Sequence, residues 1–142
     1  MPPRIVVDTH VFIAAILKPA GENRAILRAC LLGLARPLMG AALFGEYEDL
    51  LGRAHLMGKS PLTAGERQQL FDALLAVSEW VKVYFLWRPN LSDEGDNHLI
   101  ELAVAGSAKS IITHNLGDLQ RGELRFPGLQ ILTPRQFLQS IS

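Results

Sequence analysis

The chain is 142 residues long, 49% hydrophobic and 20% charged, which fits one globular domain and excludes a disordered or low-complexity protein. Fourteen basic residues balance fourteen acidic ones, so bulk charge offers no argument for nucleic-acid binding, and any such case rests on local sites. The strongly apolar stretch Val11 to Leu17 is bracketed by Asp8 and Lys18 and is far short of a bilayer crossing. A secretory leader pattern is absent, and the single cysteine, Cys30, fits a reducing compartment. One domain over residues 1–142, cytoplasmic and with no membrane partner, is the expectation.

Short β-branched runs alternate with longer helical patterns. Arg4 to Val7 reads as a strand and His10 to Leu17 as the helix after it. Glu22 to Leu34 is predicted helical, with Ile26, Leu27, Cys30, Leu31 and Leu34 on one face. A strand near Arg36 to Met39 precedes a helix from about Ala42 to Leu56. Thr63 and Glu66 then form a capping box that opens a helix to about Ser78. Trp80 to Phe85 alternates as a strand does, and a helix from about Gly95 to Ala105 follows a loop holding Pro89. Ser110 to Thr113 is a buried strand, His114 to Gly122 a polar loop, Leu129 to Leu132 a last strand and Pro134 to Ile141 a last helix. Alternation of this kind predicts an α/β fold with a mostly parallel sheet and helices on both faces. Ligands of such sheets bind beyond the carboxyl ends of the strands.

That edge collects acids. Asp8 follows Ile5-Val6-Val7 directly, before a helix start, where it suits either an N-cap or a functional carboxylate. Asp93 and Asp96 open the helix that carries Leu99 and Leu102, an arrangement a capping box also explains. Asp118 lies in the loop after the Ser110 to Thr113 strand, where a turn is the plain alternative. Glu46 stands in a helix beside Glu48 and Asp49, on an exposed run or at the border of the apolar stripe. Two carboxylates about 4 Å apart repel by roughly 4 kcal/mol at an effective dielectric near 20. Such a cluster therefore calls for a cation, and hard oxygen ligands suit Mg²⁺ or Mn²⁺. Metal-assisted phosphodiester hydrolysis is the chemistry implied.

With those residues in view, the chain resembles the PIN-domain nucleases, in particular the VapC-like toxin components of toxin–antitoxin pairs. Val6 to Ile13 resembles the family's opening strand and first acid, and Glu46 to Leu51 its helical Glu motif. Ser92 to Ala103 resembles the central acidic motif, Ile111 to Leu119 the closing Thr-x-Asn-x-x-Asp motif, and Leu132 to Leu138 the usual ending. The resemblance implies a three-layer α/β/α sandwich and a Mg²⁺- or Mn²⁺-dependent endoribonuclease. Asp8, Glu46, Asp96 and Asp118 would form the acidic quartet that holds metal. Thr9 and Thr113 would orient water or phosphate, Asp93 would be an outer acid, and Asn115 would support the site. It further implies a single-stranded or structured RNA substrate, a cognate antitoxin that blocks the acidic groove, and a homodimer. Two positions depart from the pattern: His10 stands where many members have Asn, and Asn115 where some relatives place an acid.

Three of the four histidines, His10, His98 and His114, lie beside the acids as candidate ligands or proton carriers, or as ordinary polar residues of first turns and loops. His55 is expected at a surface or helix end. Arg24, Arg28, Arg53, Arg88, Arg121 and Arg125 are scattered cations, read as solvated charges, with Arg121 and Arg125 placed to border the site. Trp80, Phe85 and Trp87 are read as core or interface, and the Cys30-Leu31-Leu32 stretch with the Leu62 to Trp80 helix as a surface for a second copy. The rival reading is a catalytically degenerate PIN-like module that binds RNA or protein without cleavage. An aspartyl-nucleophile phosphatase is excluded, because its second acid would stand two residues after Asp8, where the chain has His10.

Overall fold

Ile5, Val6 and Val7 are buried on every side, as an uninterrupted apolar run requires of a strand covered on both faces. In the computed structural model, which describes residues 2–18, 20–83, 97–115 and 128–142, β1 (Arg4–Val7) is accordingly the middle strand of five. Beside it lie β2 (Arg36–Met39) and β4 (Ser110–Ile112), and outside them β3 (Glu79–Trp80) and β5 (Gln130–Leu132), giving the order β3-β2-β1-β4-β5. All four pairings are parallel, with Val6 beside Ile111 and Val7 beside Ile112. The chain thus builds outward from β1 on one side, crosses back, and builds outward on the other. The crossing places a topological switch between β1 and β4, where sheets of this class bind ligands.

Helix α1 (Thr9–Leu17) buries Val11, Phe12, Ile13, Ala15 and Ile16, so it is apolar nearly all round and sits inside the molecule. It packs against α2 (Glu22–Leu31) and α3 (Ala41–Leu51). A four-residue α4 (Ala54–Met57) leads to α5 (Ala64–Val77), which covers β2. Helix α6 (Asn97–Ala105) lies across β1, β2 and β4, and α7 (Pro134–Ile141) packs on β5 and α2. The result is the α/β sandwich expected from the alternation. An aromatic cluster locks α1, α3 and α5 together: Phe12 meets Tyr47 edge-on at 5.0 Å, and both meet Phe71, at 5.8 and 5.6 Å. Among the described residues no helix is long and apolar enough to cross a membrane.

Several boundaries differ from expectation. Helix α2 stops at Leu31 because Gly33 takes φ +80°, a conformation that favours glycine. Leu34, expected on the buried stripe, is exposed, as is Leu32. The helix expected from Ala42 to Leu56 is two helices, broken where Arg53 is extended (φ −83°, ψ 95°). Trp80 ends β3 rather than beginning it, and it is exposed, which removes the core reading of this residue and leaves the interface one. The far end of that expected strand, Tyr84 and Phe85, and the expected helix start at Gly95 lie outside the described residues. The capping box at Thr63 and Glu66 is present in both halves, and Thr133 with Gln136 makes a second one ahead of Pro134.

Candidate functional site

Asp8 occupies the N-cap position of α1, yet its side chain makes no capping bond. Its oxygens are instead taken by two threonines. Thr113 Oγ1 donates to Oδ2 at 2.8 Å, and Thr9 Oγ1 lies 3.3 Å from Oδ1. The capping explanation of Asp8 therefore fails, and the acid is 5% exposed at the carboxyl end of the central strand. Its register is fixed from the β4 side, because its own N–H donates to the Ile112 carbonyl, and Thr113 N–H in turn donates to the Leu132 carbonyl of β5. Asn115 N–H closes the turn by donating to Thr113 Oγ1 at 3.0 Å. Each threonine is thus an anchor for the first acid, in addition to any later contact with substrate.

Thr9 also joins Asp8 to Glu46, since its Oγ1 hydrogen-bonds Glu46 Oε1. One hydroxyl proton cannot serve two carboxylates at once, so Thr9 sits as a shared hinge between the acids. Helix α3 brings Glu46 there through the residue next to it. Tyr47 is buried in the aromatic cluster and its hydroxyl donates to the Val7 carbonyl at 2.8 Å, one residue before Asp8. Burial, with Asp8, Cys30 and Glu46 nearby, pushes the Tyr47 phenol well up, so it remains a donor. The other Glu46 oxygen takes a hydrogen bond from His98 Nε2 at 2.9 Å. That bond holds the Glu46 carboxyl below the ordinary glutamate range against the opposing effect of partial burial, with help from the Thr9 hydroxyl and from the charges of His98 and His10.

The histidines divide. His98 is built into the site through Glu46. His10 is largely exposed, with Nδ1 3.7 Å from Asp8 Oδ1. His114 points elsewhere and hydrogen-bonds Asn23 at 2.7 Å, tying the start of the loop after β4 to α2. His55 is exposed near the end of α4. Arg24, read as a solvated charge, donates twice to the Ala15 carbonyl near the end of α1, whereas Arg53 forms an exposed pair with Asp49. Asp93, Asp96, Asp118, Arg88, Arg121, Arg125, Phe85 and Trp87 lie outside the described residues. Among the described residues no three His, Cys, Asp or Glu side chains form a metal-binding group, and no Lys or Arg pairs with Asp8 or Glu46.

The donor set present is two carboxylates from separate segments, converging through Thr9 and held by the hydroxyls of Thr9 and Thr113 and by His98, with no Lys or Arg paired to them among the described residues. Hard oxygens in that arrangement fit Mg²⁺ or Mn²⁺. One acid escaped the sequence reading. Glu101, in α6, is 2% exposed with neither oxygen hydrogen-bonded among the described residues, and His98 Nδ1 is buried and likewise unpartnered there. A lone acid inside Leu99-Ile100-Glu101-Leu102-Ala103 was the available signal.

The family model described as PIN domain matches residues 4–117, a span that includes both described acids, the three threonine and asparagine anchors and α6. No curated protein matches the chain. Among solved structures, the chain is similar to VapBC2 from Rickettsia felis, crystallised bound to a DNA fragment from their promoter. The TM-score is 0.58 at 16% identity, over 90% of this chain and 96% of that one, which is a likeness of fold. A parallel sheet in this order, with a buried Asp at the end of its central strand and the family model running through it, makes the chain a member of the PIN domain family.

Proposed function

We propose that the protein is a divalent-metal-dependent endoribonuclease acting as the toxin of a toxin–antitoxin pair in the cytoplasm. PIN domains are generally nucleases that use divalent ions, and the fold neighbour is a VapBC complex. The observation that carries the reading is the Asp8–Thr9–Glu46 junction, two carboxylates aimed at one place with no Lys or Arg from the described residues to neutralise them. Asp8 and Glu46 would hold the ion, with Asp96 and Asp118 completing the set and Asp93 outside it. When bound, Mg²⁺ or Mn²⁺ lowers the pKa of water and neutralises charge on the phosphate. The chain's own part is positional: Thr113 and Thr9 fix the Asp8 carboxylate, His98 fixes Glu46, and Asn115 fixes the Thr113 hydroxyl. A cognate antitoxin is the partner proposed, and a second copy the partner for the exposed Leu31, Leu32 and Leu34.

The test is cleavage of mixed single-stranded and hairpin RNA with Mn²⁺ or Mg²⁺ against EDTA, run beside Asp8→Asn and Asp96→Asn, together with a thermal melt with and without Mn²⁺. Expected are cleavage that needs metal and is lost in both variants, and a rise in melting temperature with Mn²⁺ that Asp8→Asn abolishes. No cleavage and no stabilisation by metal would leave the non-cleaving binding module as the correct reading.

A further inference from the structure

A pocket of about 470 Å³ opens on His98, the partner of Glu46, between the start of α3, the end of β3 and α6, well within the ~300–1,000 Å³ of ligand sites. Its walls are Leu43, Val81 and Leu102, together with the exposed ring of Trp80, which leans on Phe44 at 5.5 Å. Glu101 and His98 supply its polar groups. Both Glu101 oxygens lie in the interior with nothing among the described residues donating to them, and buried acceptors of that kind are otherwise nearly always filled. The ring of His98 separates this pocket from the acids, lining it while its Nε2 holds Glu46.

Resting on the ribonuclease reading above, we infer that this pocket receives a guanine base of the RNA strand next to the bond that is cut. The occupant must be flat and apolar on its faces, to lie among Trp80, Leu43 and Leu102, and must offer donors to a carboxylate. Guanine carries N1–H and the N2 amine side by side on its Watson–Crick edge, two donors for two oxygens. Adenine and cytosine set one amine beside an acceptor, and uracil sets one N–H between two acceptors, so each would turn an acceptor toward Glu101. The adjoining nucleotide backbone would then lie toward Glu46 and Asp8, and Lys82, exposed at the same pocket, offers a cation to a phosphate. An arginine guanidinium from a partner protein presents a similar fork and also stacks on aromatic rings, but it brings no phosphodiester toward Glu46 as a nucleotide does.

The experiment titrates the full chain, without metal, with GMP, IMP, AMP and N-acetyl-arginine amide, following tryptophan fluorescence in wild type, Trp80→Phe and Glu101→Gln. In parallel it measures wild-type cleavage with Mn²⁺ of uridine oligomers carrying one guanosine, inosine or adenosine. Expected are GMP binding about 10- to 100-fold tighter than AMP, with IMP between them, and cutting beside guanosine only. Glu101→Gln should flatten the preference, and Trp80→Phe should remove the signal. The comparison of bases on the wild-type chain needs no variant to fold. Selective GMP binding with no RNA cleavage would sustain the pocket and sink the nuclease reading. Cleavage indifferent to the base, with GMP and AMP alike or silent, would sink the pocket and keep the nuclease. Binding of the arginine amide in preference to GMP would overturn the inference in favour of a polypeptide side chain.

Discussion

Replacing Thr113 with valine keeps the shape of a fully buried side chain and removes only its hydroxyl. Two bonds go with it, the one donated to Asp8 Oδ2 at 2.8 Å and the one accepted from Asn115 N–H at 3.0 Å. A hydrogen bond to a charged group contributes about 1.5–3 kcal/mol and a neutral one about 0.5–1.5 kcal/mol. Because the Asn115 amide is only part-buried, a total loss of about 2–4 kcal/mol is expected. For a chain of this length the unfolding entropy is about 0.3 kcal/mol/K, so the melting temperature should fall by about 7–13 °C. Thr113→Ser keeps the hydroxyl and loses a methyl, which should cost about 1 kcal/mol and about 3 °C. Melts followed by circular dichroism at pH 7 in EDTA separate the two variants. A valine variant within 3 °C of wild type, or a serine variant as damaged as the valine one, would show that Thr113 is not what anchors Asp8.

Gly106→Ala should destabilise the protein by about 1–3 kcal/mol in urea unfolding. The new Cβ would stand 2.5 Å from Leu38 Cδ1 and 3.0 Å from Val81 Cγ2, and Leu38 is packed too tightly to yield; an unchanged midpoint would contradict that. Cys30 should resist iodoacetamide at pH 8 until the chain unfolds, since burial pushes its thiol up to about 12; rapid labelling of the folded protein would refute it. Glu66 accepts from the Thr63 N–H, which lowers its carboxyl below 4.5. Its contribution to the helix start is therefore complete above that value and lost as the pH falls through the lowered native one. The gap in melting temperature between wild type and Glu66→Ala should accordingly be constant near neutrality and close in acid, and a gap that widens in acid would reverse the assignment.

Much of the frame was legible because local chemistry and global packing agree. The apolar Ile5-Val6-Val7 run reads as a strand and Thr63 with Glu66 as a helix start, and the structure has both. What failed was decided by distant contacts or by single backbone torsions. The apolar periodicity runs on past Gly52 and Arg53 and outweighs the local sign of a helix end, Gly52, which caps α3 ahead of the break. Leu34 matches the stripe of α2 and is nevertheless exposed, because the positive φ of Gly33 ends the helix before it. At the site, the sequence singled out Asp8, Glu46, Thr9 and Thr113, and the structure links the four by hydrogen bonds; that both threonines hold Asp8 was not foreseen. Glu101 was passed over because an acid in a helix is ordinarily solvated. Only the packing of α6 on the sheet reveals that this one is not.

The hydrogen bond between Thr113 and Asp8 spans 105 positions of sequence. Closing so long a loop is slow and entropically costly, and it waits on β4, which reaches the sheet only after β2 and β3 have been synthesised. A chain still leaving the ribosome, or one cut before β4, has Asp8 with only Thr9 to aim it. Order of assembly thus decides when the first acid is fully set. Glu46 can reach Thr9 early, but both oxygens of Asp8 are held only when the sheet is nearly whole.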